Sequence, residues 1–324
     1  MPMPQVTSSV RPFGAVLSAM VTPFDEAGEL DVAAAVALAR HLVDTGHDGL
    51  VLNGTTGEAP TTHAPEKAEL IAAVVEAVGD RAYVVAGAGS NDTLHAVRMA
   101  EQAAEAGAHG LLVVSPYYSR PSQAGIVAHV RAVADSTDLP VMLYDIPGRA
   151  GVRLSAATVD ELGEHERVVA MKDATGDVAA AARGIARTGL AWYCGDDGLL
   201  LPFLSVGAVG VVGVATHVVG AAFARAVAAW DAGDTAGALR ATTSVQPAVD
   251  AINGAGFQAV YAKAALEVVG VLPRRTVRLP YLPATDDEVR DVAAGLSAAG
   301  LLDGRPDGRH DELLAGGSRH DAPA

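Results

Sequence analysis

The sequence predicts an α/β fold, a (β/α)8 TIM barrel with a C-terminal helical extension. Three observations carry this. Eight short apolar runs recur along the chain, helical patterns fall between them, and the pattern turns all-helical after the eighth run. The runs occupy residues 15–22, 49–53, 83–88, 110–115, 141–145, 168–172, 191–194 and 210–214. Most are rich in Val, Leu or Ile, and none alternates cleanly with polar residues, which suits strands buried on both faces of a parallel sheet.

Between the runs, residues 31–45, 64–78, 93–106, 123–136 and 155–162 place apolar side chains at i, i+3 and i+4 with charges between them. Asp31, Thr62, Asn91, Ser122 and Ser155 are the candidate N-caps. Gly46, Gly79 and Gly107 follow helix ends, where a left-handed residue is often needed. Strand plus helix repeats every ~25 to 35 residues, as βαβ units require. Eight such strands close a barrel, whereas an open doubly wound sheet more often has about five or six.

Beyond residue 214, residues 220–232, 234–253, 256–269 and 286–299 read as helices, the last after a Pro-rich stretch at 279–283. The expected organisation is a barrel domain at 13–224 and a C-terminal helical domain at 225–300. The polar residues 304–324, rich in Gly, Asp, Arg and His, are expected to form a solvated, disordered tail.

Composition narrows the function. Half the 324 residues are hydrophobic, enough for a large core. With 38 acidic against 23 basic residues the net charge is −15, so no nucleic-acid partner and no anionic membrane surface is expected. Cys194 is the single cysteine, so no intrachain disulfide can form and a reducing compartment is the simpler reading. Residues 1–13 hold no apolar signal core, and a cytoplasmic location follows as the expectation. Residues 199–224 lack charge, but Pro202 and Gly207, Gly210, Gly213 and Gly220 break the stretch; it reads as a buried strand between helices.

Barrel enzymes place reactive groups where strands end. The sixth run ends in Lys172, an amine at the barrel mouth, where partial desolvation favours the neutral nucleophile needed for a Schiff base. The alternative is a strand-capping surface lysine or a partner of Asp173. The fifth run ends Tyr144-Asp145-Ile146-Pro147-Gly148-Arg149: a tyrosine able to pass protons and an arginine able to grip a carboxylate, or a core tyrosine and a surface arginine. The second run leads into Gly54-Thr55-Thr56-Gly57-Glu58, whose hydroxyls and N–H groups can bind an anionic oxygen or simply shape a turn. Glu58 either orients neighbours or caps the next helix. Tyr117 and Tyr118 lie in a Pro-bounded loop after the fourth run, where a site, an interface or packing are all open. The ten histidines show no HxH or HExxH pair, Gly87-Ala88-Gly89 is too short for a dinucleotide fingerprint, and there is no Gly-x-Ser-x-Gly elbow.

These four segments, the sixth run continuing as Lys172-Asp173-Ala174-Thr175-Gly176-Asp177, resemble in order and spacing the pyruvate-dependent class I aldolase group that includes the dihydrodipicolinate synthases and N-acetylneuraminate lyases. The resemblance spans residues 13–296. It implies that Lys172 forms the Schiff base with pyruvate, that Tyr144 donates and accepts the proton, and that Thr55 and Tyr118 complete the relay. In the group the residue at Tyr118, or its neighbour, reaches across a dimer interface. It further implies that Thr56 and the main chain near Val212 bind pyruvate, that Arg149 faces the second substrate's carboxylate, and that Gly195 belongs to a rim motif with Asp196 and Asp197.

The implied partners are pyruvate and L-aspartate 4-semialdehyde, condensed on the route to diaminopimelate and lysine. No metal or organic cofactor is implied. A homo-oligomer is, either a homodimer or a homotetramer built as a dimer of dimers. The sequence departs from the group at Asp145 and Gly148, often Asn and Ser there. Where lysine-inhibited synthases hold a lysine pocket, this chain has Ala59, Ala64, Lys67 and His95, keeping only Asn91 and Tyr117; weak or absent lysine feedback is the expectation. Two other readings stand beside the synthase: an aldolase of the same group acting on another aldehyde or a 2-keto-3-deoxy sugar acid, and a barrel that binds ligand without catalysis.

Overall fold

A computed structural model describes residues 11–303, apart from 255. Eight parallel strands close a barrel in sequence order: β1 (Val16–Ala19), β2 (Gly49–Leu52), β3 (Tyr83–Gly87), β4 (Gly110–Val114), β5 (Val141–Asp145), β6 (Val168–Asp173), β7 (Ala191–Cys194) and β8 (Gly210–Gly213), with β8 pairing back onto β1. The predicted barrel is therefore present, and the helices alternate with its strands as expected.

Strand alternation divides the core in two. Leu17, Val51, Val85, Leu112, Met142, Ala170, Tyr193 and Val212 point into the barrel and pack on one another. Leu50, Val84, Leu111, Val141, Met171 and Val211 point outward against the helices. Phe13 and Tyr83 meet edge-to-face, 6.1 Å between centroids, within the inner cluster. That filled interior leaves the opposite rim, where the strands end, for chemistry.

Local signals explain most helix starts. Asp31, Ser122 and Ser155 accept N–H bonds as N-caps. Two expectations are corrected. His63 replaces Thr62 as N-cap because Glu66 reaches back to its N–H in a capping box, and Asp92 replaces Asn91 because its carboxylate accepts from Leu94. Gly46 and Gly107 adopt positive φ, but Gly79 stays right-handed at φ −65°. The stretch 234–253 is two helices, Thr235–Thr243 and Gln246–Asn253, with Pro247 in the first turn of the second. Val178–Thr188 is a helix that the apolar pattern did not single out.

The helix Thr216–Asp231 runs through residues 224 and 225, so the last barrel helix leads directly into the C-terminal helices. The tail at 304–324 lies outside the described residues. Among the described residues no helix is long and apolar enough to cross a membrane.

Helix Thr216–Asp231 is locked to the barrel through a buried polar network. Ser18 Oγ lies 3.0 Å from His47 Nε2 and 2.8 Å from Thr216 Oγ1, and His47 Nδ1 lies 2.6 Å from the Leu42 carbonyl. Burial lowers the His47 pKa to about 4, so the ring is neutral and donates to Leu42. Gly220 packs against this ring: a Cβ there would lie 2.1 Å from His47 Cε1. Gly220→Ala gains ~1 kcal/mol of helix propensity but forces the ring off its partners, a loss of roughly 2–4 kcal/mol. We expect a net drop in stability, seen as a lower urea midpoint; an unchanged or higher midpoint would contradict this packing.

Candidate active site

Register builds the centre of the site. Tyr144 and Lys172 are direct neighbours on β5 and β6, at the strand ends, and both face inward. Lys172 is 4% exposed and its Nζ stands 4.3 Å from the centroid of the Tyr144 ring. The next pair, Asp145 and Asp173, faces the opposite way. Asp173 spends its carboxylate there: Thr175 N–H and O–H donate to Oδ1 at 2.9 and 2.7 Å, and Trp192 Nε1 donates to Oδ2 at 3.0 Å. The alternative of a Lys172–Asp173 pair is thus excluded. Among the described residues no carboxylate pairs with Lys172.

Tyr144 reaches the wall of a cavity of about 570 Å³, and Lys172 lies behind Tyr144, buried against its ring rather than in the wall of that cavity. Thr55, Tyr144 and Arg149 line it, as does Tyr117. Its other polar walls include His63, Lys67 and His95; no Asp or Glu is among the described residues that line it. In a chain of net charge −15, such a wall selects for anions. Lys67 Nζ donates to the Ala59 carbonyl at 3.0 Å, and burial lowers its pKa.

The remaining candidates lie around the cavity, not in its wall. Thr56 is buried in the loop beside Thr55, and Val212 is buried in the barrel interior. Gly195 donates its N–H to the Asp173 carbonyl at 2.7 Å; an added Cβ would lie 2.9 Å from that oxygen, so only glycine lets β7 leave the barrel so close to β6. Its motif partner Asp197 accepts from Val214 N–H, Ala215 N–H and Asn253 Nδ2 at 3.1, 3.0 and 2.8 Å, fixing the chain just after β8. Tyr118 points away from the cavity of its own chain: it is 89% exposed, with φ +70°.

Several lining residues, His63, Ser90 and Met99 among them, escaped the sequence reading, and two come from far along the chain. Phe257 and Tyr281 come from the C-terminal segment and stack, with centroids 4.0 Å apart and planes 16° from parallel. The Arg149 guanidinium lies 5.1 Å over the Phe257 ring. An aromatic among the prolines of 279–283 was the available signal, since a Pro-bounded tyrosine is held on a fixed loop.

Comparison with known proteins places this geometry. Residues 12–299 match the model of the Dihydrodipicolinate synthetase family. The 4-hydroxy-tetrahydrodipicolinate synthase of Bifidobacterium longum is 54% identical over 291 residues, covering 90% of this chain and 96% of that protein. The enzyme of the same name from Kineococcus radiotolerans is 54% identical, covering 93% and 98%. Among solved structures, dihydrodipicolinate synthase from Bacillus anthracis is 41% identical with a TM-score of 0.85, over 88% of this chain and 98% of its own. That from Cyanidioschyzon merolae, solved with lysine bound, is 39% identical with a TM-score of 0.87, over 90% and 100%. With the barrel, the Tyr144–Lys172 pair and these matches together, the chain belongs to the Dihydrodipicolinate synthetase family.

Proposed function

We propose that the chain is a Schiff-base-forming lyase, a 4-hydroxy-tetrahydrodipicolinate synthase, that condenses pyruvate with L-aspartate 4-semialdehyde in diaminopimelate and lysine biosynthesis. The observation that carries it is a buried, carboxylate-free amine, Lys172, set 4.3 Å from the ring of Tyr144, which itself lines a cavity with no Asp or Glu among its described residues.

The chemistry follows from those groups. Lys172 attacks the ketone carbon of pyruvate and water leaves, giving an iminium. The nitrogen withdraws electrons from the methyl carbon, and a proton departs through Tyr144 to leave an enamine. Thr55 shares the cavity wall with Tyr144 and extends the proton path. The enamine carbon attacks the aldehyde of the second substrate, and the amino group of that substrate then displaces Lys172 as the ring closes. By the family resemblance, Thr56 and the main chain at Val212 hold pyruvate. Arg149, its guanidinium face set on Phe257, receives the carboxylate of the aldehyde substrate in bidentate fashion. The route uses no metal or organic cofactor.

Tyr118 is placed to meet a second copy of the chain. Its ring is exposed and its backbone is held at φ +70°, an arrangement that a contact with a second copy would put to use. We therefore assign the working form as a cytoplasmic homo-oligomer, a homodimer or a homotetramer of paired dimers, in which Tyr118 completes a neighbour's relay.

Incubation with pyruvate and borohydride tests the reading. Mass spectrometry is expected to find one reduced pyruvyl adduct per chain, on Lys172, and none in Lys172→Ala. An adduct elsewhere, or none, overturns the Schiff-base assignment. A panel of aldehydes then separates the synthase from a sugar-acid aldolase: aspartate semialdehyde is expected to react fastest.

The same cavity predicts the response to lysine. The amine of Lys67 and the imidazoles of His63 and His95 face a ligand that is itself cationic, with no lining carboxylate to attract it. Millimolar L-lysine is expected to leave the initial rate unchanged. Inhibition at sub-millimolar lysine would refute this.

A further inference from the structure

The loop that carries Thr55 and Thr56 starts and ends on residues with unusual backbone. Asn53 has φ +55° and Glu58 has φ +56°. Left-handed backbone is resisted by any residue with a Cβ, so something must hold this loop in shape. At Glu58 the holding group is visible. Its side chain turns away from the cavity and is fully buried. It stands at the N-cap position of the short 3-10 turn Ala59–Thr61, but its side chain makes no capping bond there, and the α-helix that follows is closed by His63 and Glu66. Instead Oε1 accepts from Lys263 Nζ at 2.5 Å and Oε2 accepts from the Arg278 N–H at 2.9 Å.

Lys263 belongs to the C-terminal helix Gln258–Val268 and is likewise fully buried. Its Nζ donates also to the Thr276 carbonyl at 2.7 Å and lies 4.3 Å over the Phe24 ring. Arg278 covers the same ring at 4.3 Å and donates to the Thr61 and Gly28 carbonyls and to Glu66. Removing two charges from water is a poor way to add stability, because an apolar pair of equal volume does as well or better. What the pair adds is direction: its bonds fix one carboxylate, and with it one backbone conformation.

We propose that Lys263 is a positioning residue, acting through its buried contact with Glu58 to hold the Thr55–Thr56 loop in the shape that presents it to pyruvate. This rests on the reading that those threonines serve pyruvate. A C-terminal helix outside the barrel thereby sets a part of the active site more than two hundred residues away in sequence.

The test uses the full chain and its variants. Lys263→Met leaves a buried unpaired carboxylate and is expected to fold poorly. The double variant E58Q/K263M removes both charges, while the new amide oxygen still accepts from the Arg278 N–H. Glu58→Gln alone is also expected to fold at pH 8, since burial lowers the pKa of the Lys263 amine and lets it shed its proton once the carboxylate is gone. Circular dichroism first shows which are folded at the assay temperature. In the folded variants, we expect kcat at least tenfold lower and half-saturating pyruvate at least tenfold higher, with half-saturation by the aldehyde moved less than threefold. A further variant, E58G/K263M, puts at position 58 the residue type that accepts φ +56° freely; it is expected to regain at least threefold in kcat over E58Q/K263M. A purely structural pair would lower only the melting temperature. Folded E58Q/K263M or E58Q with parental kcat and pyruvate half-saturation overturns the proposal, as does a glycine variant no better than the glutamine one. Absence of a borohydride adduct on Lys172 in the parent would instead overturn the functional reading beneath it.

Discussion

Tyr144→Phe is expected to lower kcat by ~10²- to 10⁴-fold while pyruvate is still trapped on Lys172 by borohydride. The substitution removes one oxygen and leaves the ring that lies over the Lys172 amine. Tyr144 is 4% exposed and packs in the inner barrel cluster, and phenylalanine fills that volume. Fold and adduct formation therefore survive, and what is lost is proton transfer at the methyl carbon and at the new alcohol. In barrier terms this is about 3–5 kcal/mol, the range general acid–base catalysis supplies. Single-turnover kinetics gives the check: fast adduct formation followed by slow loss of solvent-exchangeable methyl protons. A variant retaining more than a tenth of the parental kcat would remove Tyr144 from the relay and leave the proton with Thr55 or water.

The fold was readable because buried parallel strands leave a continuous apolar record. The β6 run ends on Lys172 and the β5 run one residue past Tyr144, and a strand places its last inward side chain at the rim by geometry alone, which brings these two candidates side by side. Helix caps were readable to within a residue. The errors at Thr62 and Asn91 arose where two adjacent polar residues compete, and only the three-dimensional reach of Glu66 and Asp92 decides between them. Contacts from the C-terminal helices were not readable. Lys263 sits among alanines on a mostly apolar helix, and nothing local says that its partner is Glu58. Phe257 under Arg149 is a contact of the same kind. Glu58 itself stood out within its motif, but the choice between cap and anchor depends on a chain segment two hundred residues away.

Asp145→Asn is expected to stabilise the protein, and increasingly so as pH rises from 4 to 8. Asp145 is 3% exposed on the outer face of β5, beside a second cavity of about 320 Å³. Its support is thin: the Leu154 N–H donates to Oδ1 at 3.3 Å, and the half-exposed Arg153 stands 4.0 Å from Oδ2. Burial, assisted by the charge of Asp173, raises its pKa from the ordinary 3.8 to about 7, outweighing Leu154 and Arg153. A carboxyl whose folded pKa lies above its unfolded one binds protons more tightly when folded. Its contribution is fully present below pH 4 and is lost as pH climbs through 7. A shift of about three pH units sets a ceiling of ~4 kcal/mol, and water in the adjoining cavity reduces this to roughly 2 kcal/mol. Asparagine keeps the acceptor for Leu154 and never ionises, so the variant escapes the loss. Melting curves should coincide near pH 4 and separate by about 4 °C at pH 8, with the variant higher. A separation that does not change with pH would mean that Asp145 is ionised throughout, held by Arg153 more firmly than its distance implies.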